Sequence, residues 1–160
     1  MAKKVKVTNN VNQYVSLIDK TLNFRTAFER KGVTRLIDLD ILQQIIYNTG
    51  VERMFKRGVL VIDDMEAKIA LGLEPEGAKE PINTITLTDA QKRRQLTVVP
   101  IEEFKETVNK LPQEEIKELA RFAVVNQLIG NMEKVDYLQK KTGINILKAI
   151  QTIREEKMDK

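Results

Sequence analysis

The stretch "LEPEGAKEPINTITL", residues 73–87, divides the chain into two parts of different character. It contains two prolines, one glycine and three glutamates, and no apolar periodicity precedes Ile82. Such a composition is typical of a connecting segment. We therefore predict an α+β protein with a small antiparallel β-rich module over residues 1–72, a linker over 73–87 and a helical bundle over 88–160.

The part before the linker begins with short runs in which apolar and polar residues alternate. This period of two, punctuated by turn residues, predicts antiparallel strands. The "KVKVT" run is expected to be an edge strand that could pair with a partner. The four predicted strands are "KVKVT", "YVSLI", "LNFRTAF" and "VTRLID".

The period changes to that of a helix after this sheet. Leu39, Leu42 and Ile45 recur at helical spacing, which predicts a helix that starts at an Asp38 or Asp40 cap. Gly50 is expected to end this helix in the left-handed conformation. A further helical turn or two should then end at Gly58.

The stretch "VLVIDDME", residues 59–66, runs from aliphatic residues into two aspartates. In nucleotide-hydrolysing enzymes such a strand often delivers a carboxylate to magnesium, but no GxxxxGK[ST] phosphate cradle occurs in this chain. Asp63 is instead predicted to cap the next helix, with Glu66 three residues later and Gly72 at its end. A metal site is not predicted.

The part after the linker has clear helix starts and stops. Thr88 or Asp89 should cap the first helix, Pro100 and Pro112 fit first turns, and Gly143 should end a later helix. Tight turns between helices of this length predict a bundle. The paired carboxylates all lie at predicted helix starts, where the helix dipole favours negative charge, so no acid–base role is assigned to them.

The composition argues against several classes of function. The 160 residues include no cysteine and no histidine, which removes thiolate chemistry, the commonest general base and the commonest transition-metal ligand. We therefore predict no enzymatic activity and no cofactor. The 27 basic and 23 acidic residues are interspersed, and no stretch has the length of a signal peptide or membrane span. A soluble protein that is not exported by the general route is expected.

Two groups of basic residues are candidate contacts for a partner or for phosphate. Phosphate binding would require their side chains to converge on one face. The segment "VDYLQKKTGINILKAIQ" also has the outline of a helix-turn-helix, although Gly143 is fully explained as a helix cap, which favours a helical hairpin over a DNA reader. A nucleic-acid-binding regulator is therefore the alternative function. The candidate residues are Arg53, Lys56, Arg57, Lys92, Arg93 and Arg94.

The runs "VKVTNN", "FRTAFERKGVTRLIDLDIL" and "TGVERMFKRGVLVID", together with "KKTGINILKAI", resemble those of small proteins encoded by tailed phages. The resemblance implies a virion-associated accessory protein, located in the virion or the host cytoplasm, and it carries over no catalytic residue. We predict a non-enzymatic structural or interaction protein that docks on proteins of a larger assembly, such as a phage capsid or tail. No membrane partner is expected.

Overall fold

The computed structural model describes residues 3–158. The chain forms two compact units, unit 1 over residues 1–84 and unit 2 over residues 85–160. Within residues 3–158, unit 1 contains five strands and three short helices, and unit 2 contains five helices. The predicted α+β class, with antiparallel strands followed by packed helices, is therefore confirmed. Among residues 3–158, no helix combines the length and apolar character needed to cross a bilayer.

The main sheet of unit 1 has β1 (Lys4–Asn9) between β4 (Thr34–Asp38) and β5 (Leu60–Ile62). Both pairings are antiparallel. Because β1 has a neighbouring strand on each side, "KVKVT" is a central strand, and its prediction as an edge strand is wrong. Alternation in β1 shows only that one face is buried, and it does not specify how many neighbours the strand has. The sheet edges are β4 and β5.

A second sheet is the hairpin of β2 (Val15–Asp19) and β3 (Phe24–Phe28). In its turn, Asp19 Oδ1 accepts a bond from Leu22 N (3.1 Å), and Asn23 adopts a φ of 49°. The buried Asn9 connects this hairpin to β1, because its Nδ2 donates to the carbonyl oxygens of Gln13 (2.8 Å) and Phe28 (3.3 Å).

The helices of unit 1 are α1 (Leu39–Ile45), α2 (Thr49–Lys56) and α3 (Met65–Ala70). Gly50 lies in the first turn of α2 and does not end α1, so that prediction is wrong. Asn48 explains the break, because its Oδ1 accepts a bond from Gly50 N (2.9 Å) and starts α2 there. Gly58 and Gly72 have the positive φ expected of helix-ending residues, 80° and 76°.

Unit 2 consists of α4 (Asp89–Thr97), α5 (Ile101–Lys110), α6 (Gln113–Val125), α7 (Met132–Thr142) and α8 (Ile146–Met158). Helix α6 packs against α4, α7 and α8, and α5 packs against α7. Thr88 forms a capping box with Gln91, and Gly143 ends α7 with a φ of 74°. Pro100 and Pro112 stand at the cap positions just before α5 and α6. The largest fully buried side chains of the unit are Phe104, Leu119, Leu138, Ile146 and Val108.

Candidate interaction surface

The β2–β3 hairpin exposes large apolar side chains on its outer side. Alternation along β2 buries Val15 and Leu17 and leaves Ile18 47 % exposed. Tyr14, one residue before β2 and in the register of Ile18, is 60 % exposed, and Leu22 in the turn is 37 % exposed. Isolated exposed apolar residues are common in proteins, but three on one hairpin indicate a contact surface.

Exposed cations accompany these apolar side chains. Arg25 is the cross-strand partner of Ile18, and Lys20 lies in the turn beside Leu22. No carboxylate of residues 3–158 lies within 4.0 Å of either cation, and the neighbouring Asp19 accepts the bond from Leu22 N. We define the docking face as Tyr14, Ile18, Lys20, Leu22 and Arg25. This face is apolar and positively charged.

The two aspartates of "VIDDME" have different roles from those predicted. The cap of α3 is Asp64, whose Oδ1 accepts a bond from Ala67 N (3.2 Å), whereas Asp63 is exposed. The prediction of Asp63 as the cap is wrong, because α3 begins one residue later and helix boundaries are uncertain by that amount in a sequence. Asp64 also pairs with Lys3 Nζ (2.8 Å), and the hydrogen bond from Lys3 lowers the pKa of the Asp64 carboxyl.

Substitution of the two aspartates separates their roles. Asp64→Ala should lower the free energy of unfolding by about 1 kcal/mol, because it removes the acceptor for a free N–H of α3. Asp64→Asn should retain most of the cap, and Asp63→Ala should change stability little. Urea denaturation of the three variants tests this expectation. Equal losses for Asp63→Ala and Asp64→Ala would contradict the assignment.

A buried carboxylate lies shortly after this helix, in the segment for which the sequence predicts a linker. Residues 73–84 contain no helix or strand, yet the Glu74 side chain is buried. Its carboxylate accepts bonds from the backbone N–H groups of residues 82–84 and from the Thr84 hydroxyl. Burial opposes ionisation, but these bonds outweigh it and lower the pKa of Glu74.

Lys68 on α3 is a buried cation whose charge interacts with that of Glu74. Burial lowers the pKa of its ammonium group, and the negative charges of Glu74 and Asp63 only partly offset that effect. Both oxygens of Glu74 are already occupied by donors of its own chain, so its carboxylate holds the segment in place. Nothing in the sequence indicates these bonds of Glu74, since they join residues on both sides of a Pro/Gly-rich turn.

The structure places the two predicted basic clusters in different units. Arg53, Lys56 and Arg57 are exposed on or just after α2 in unit 1, and Lys56 forms an ion pair with Glu52. In unit 2, Lys92 and Arg93 lie over the Phe122 ring at 5.9 and 5.7 Å from its centroid.

Two further contacts engage the second cluster. Arg93 Nη2 donates to Asn126 Oδ1 (3.1 Å), and Lys92 lies 3.8 Å from Asp89 Oδ1. Arg94 is exposed in the last turn of α4. Two members of the second cluster therefore hold α4 against α6.

The segment with the helix-turn-helix outline comprises α7, Gly143 and α8. The first N–H groups of α8 are occupied within the chain, since Ile146 N and Leu147 N donate to Gln139 Oε1. Lys148 N donates to Asn145 Oδ1 at 3.0 Å. This helix start is thus capped by side chains of its own unit, which adds no support for phosphate binding there.

Unit 2 also forms a ring contact that the sequence does not reveal. The Tyr137 ring on α7 lies 5.5 Å from both Lys105 Nζ on α5 and Lys141 Nζ on α7. Only the second neighbour, one helical turn away, could be read from the sequence. The contact with Lys105 arises only because α5 packs on α7.

Within residues 3–158, no group of three or more His, Cys, Asp or Glu side chains is arranged to hold a metal ion. Comparison of the chain with protein-family models, with curated proteins and with solved structures found no match.

Proposed function

We propose that this chain is a non-enzymatic interaction protein that docks on another protein of a larger assembly through the docking face of its β2–β3 hairpin. The observation that supports this proposal is the exposure of Tyr14, Ile18 and Leu22 beside Lys20 and Arg25. Aromatic and aliphatic side chains at the centre of a contact, with charges around them, are typical of protein interfaces. The complementary partner surface is apolar with an acidic rim.

The hairpin is held in a defined conformation before any partner binds. The bonds from Asn9 to Gln13 and Phe28 fix its base, and the Phe28 ring is fully buried. A preorganised hairpin loses little conformational entropy on binding, which favours recognition by side chains on a rigid support. Strand addition along β1 is not part of this proposal, because β1 already pairs with β4 on one side and, over Val7–Asn9, with β5 on the other.

Because the sequence resembles small tailed-phage proteins, we propose that the larger assembly is a virion. The protein would then be located in the particle or in the host cytoplasm. Mass spectrometry of purified particles tests this part directly. The protein should appear in at least one particle fraction at a constant ratio to a major structural protein. Its absence from every fraction would contradict a role in the virion.

Substitution of Ile18 tests the docking face itself. Ile18→Lys should reduce the partner recovered with the tagged protein at least tenfold, which is about 1.4 kcal/mol of binding free energy. The reason is that a charge replaces an apolar anchor at the centre of the face. Quantitative mass spectrometry of crosslinked complexes measures the recovery.

Ile82→Lys is the matched control, since Ile82 is 52 % exposed in the same unit and lies outside the docking face. It should leave recovery of the partner unchanged. Equal recovery with Ile18→Lys and with the parent protein, both folded by circular dichroism, would show that the hairpin is not the docking element.

A further inference from the structure

In unit 2, two exposed lysine side chains share one ring as a neighbour. Lys105 Nζ on α5 and Lys141 Nζ on α7 both lie 5.5 Å from the centroid of the Tyr137 ring. The ring itself is fixed, because its edge packs against Phe104 with centroids 6.3 Å apart and its hydroxyl donates to Asn109 Oδ1 (2.6 Å). Two ammonium groups thus lie beside one ring that has these two contacts of its own.

These two ammonium groups differ from the other cations that contact rings in unit 2. Lys92 pairs with Asp89, Arg93 donates to Asn126, and the buried Lys134 donates to the carbonyl oxygen of Gln95 (2.6 Å). Across residues 3–158, neither Lys105 nor Lys141 has a carboxylate within 4.0 Å or a hydrogen-bond acceptor for its ammonium group. Both side chains are exposed and their charge is available to a ligand.

The spacing of the two charges fits a polyanion. Since both ammonium groups lie 5.5 Å from one centroid, they are at most about 11 Å apart. One strand of DNA carries a phosphate about every 3.4 Å along the helix axis, so two phosphates of one strand can meet the two lysines. A fixed pair of cations also loses less side-chain entropy on binding than two free lysines would.

The neighbouring charges limit the size of this site. Glu102 and Glu106 are exposed on α5, and Glu133 and Asp136 are exposed on α7, alongside Lys140. This mixture produces no broad positive field, so long-range steering should be weak. Binding must then depend on the two lysine contacts and should be sensitive to salt.

We propose that Lys105 and Lys141, organised by Tyr137, form a phosphate clamp that binds the sugar–phosphate backbone of a nucleic acid without reading its sequence. The Tyr137 hydroxyl is already bonded to Asn109, so the two ammonium groups supply the contacts. A nucleic acid strand fits better than an acidic polypeptide, because it places fixed negative charges at short, regular intervals. The clamp belongs to unit 2 and the docking face to unit 1, so the clamp adds an activity to the proposed function.

Fluorescence anisotropy with the full chain and labelled duplex and single-stranded oligonucleotides tests the clamp. Two phosphate contacts predict that the logarithm of the binding constant falls with the logarithm of salt concentration with a slope of about −1.8 on duplex DNA. Lys105→Gln and Lys141→Gln should each reduce this slope by about 1. Different base sequences should bind equally.

Lys117→Gln is the matched control, because Lys117 lies in the same unit and pairs with Glu114 (3.5 Å). It should keep the parental slope and affinity. Tyr137→Leu should weaken binding while both lysines remain, and Tyr137→Phe should retain most of it. Circular dichroism confirms that each variant is folded.

Three results would overturn the proposal. They are no binding to either oligonucleotide at low salt, a parental slope in both lysine variants, and displacement of the oligonucleotide by poly-glutamate as effectively as by polyphosphate at equal charge concentration. The last result would assign the two lysines to an acidic protein.

Discussion

Replacement of Glu74 with glutamine should lower the free energy of unfolding by about 3 kcal/mol, since a buried group that loses charged hydrogen bonds costs about 1–3 kcal/mol or more. The carboxylate accepts bonds from Ile82 N (2.9 Å), Asn83 N (2.9 Å), Thr84 N (2.7 Å) and Thr84 Oγ1 (2.7 Å). A glutamine side chain directs an NH₂ group at some of these donors, and donors cannot bond to donors. The substitution also removes the anion that partly offsets the burial of Lys68.

Urea denaturation at neutral pH measures this loss, and Glu76→Gln is the control with the same change of charge on an exposed side chain. The control should stay within about 0.5 kcal/mol of the parent. Because the folded protein lowers the pKa of Glu74 below its ordinary 4.5, the stabilising contribution is fully present above that pH. It is lost as the pH falls through the folded-state pKa. The difference between parent and variant should therefore shrink in acid, and a difference independent of pH would contradict the assigned role.

Removal of the Phe104 ring should have the largest effect in unit 2. Phe104→Ala is expected to lower the free energy of unfolding by about 3–5 kcal/mol, because the side chain is fully buried and leaves a cavity. The ring also contacts the edge of Tyr137 and lies 5.3 Å from Lys134 Nζ, a buried ammonium group whose pKa is lowered by burial.

Chemical denaturation of the full chain, followed by the circular dichroism signal of its helices, measures the effect of Phe104→Ala. Val125→Ala is the control, because Val125 is 73 % exposed on a helix of the same unit. It should change stability by no more than about 0.5 kcal/mol. A loss below about 1 kcal/mol for Phe104→Ala would show that the ring is not a centre of this core.

The features that could be predicted from the sequence are those set by residues a few positions apart. The Thr88 cap, the positive φ of Gly72 and Gly143, and the alternation of β2 are local, and the structure has all three. Their causes lie within one helical turn or one strand, where residue type determines conformation.

The features that could not be predicted depend on contacts between distant residues. The central place of β1 depends on the return of β5, and the burial of Glu74 depends on donors beyond a Pro/Gly-rich turn. Lys105 reaches Tyr137 only because α5 packs on α7. For Asp63 and Asp64 the residue types are identical, so only the exact start of α3 distinguishes the cap from its neighbour.

The central position of β1 also affects the order in which the chain can fold. The β2–β3 hairpin closes a short loop and can form early. Thr8 of β1 can pair only after Thr34 on one side and Val61 on the other have been made. During synthesis β1 therefore has at least one unpaired edge until Ile62 has been added, and an unpaired edge invites aggregation. Lys6, exposed on that strand, places a positive charge near the open edge and should help to keep nascent chains apart until β5 has been made, whereas Lys4 pairs with Asp38 of β4.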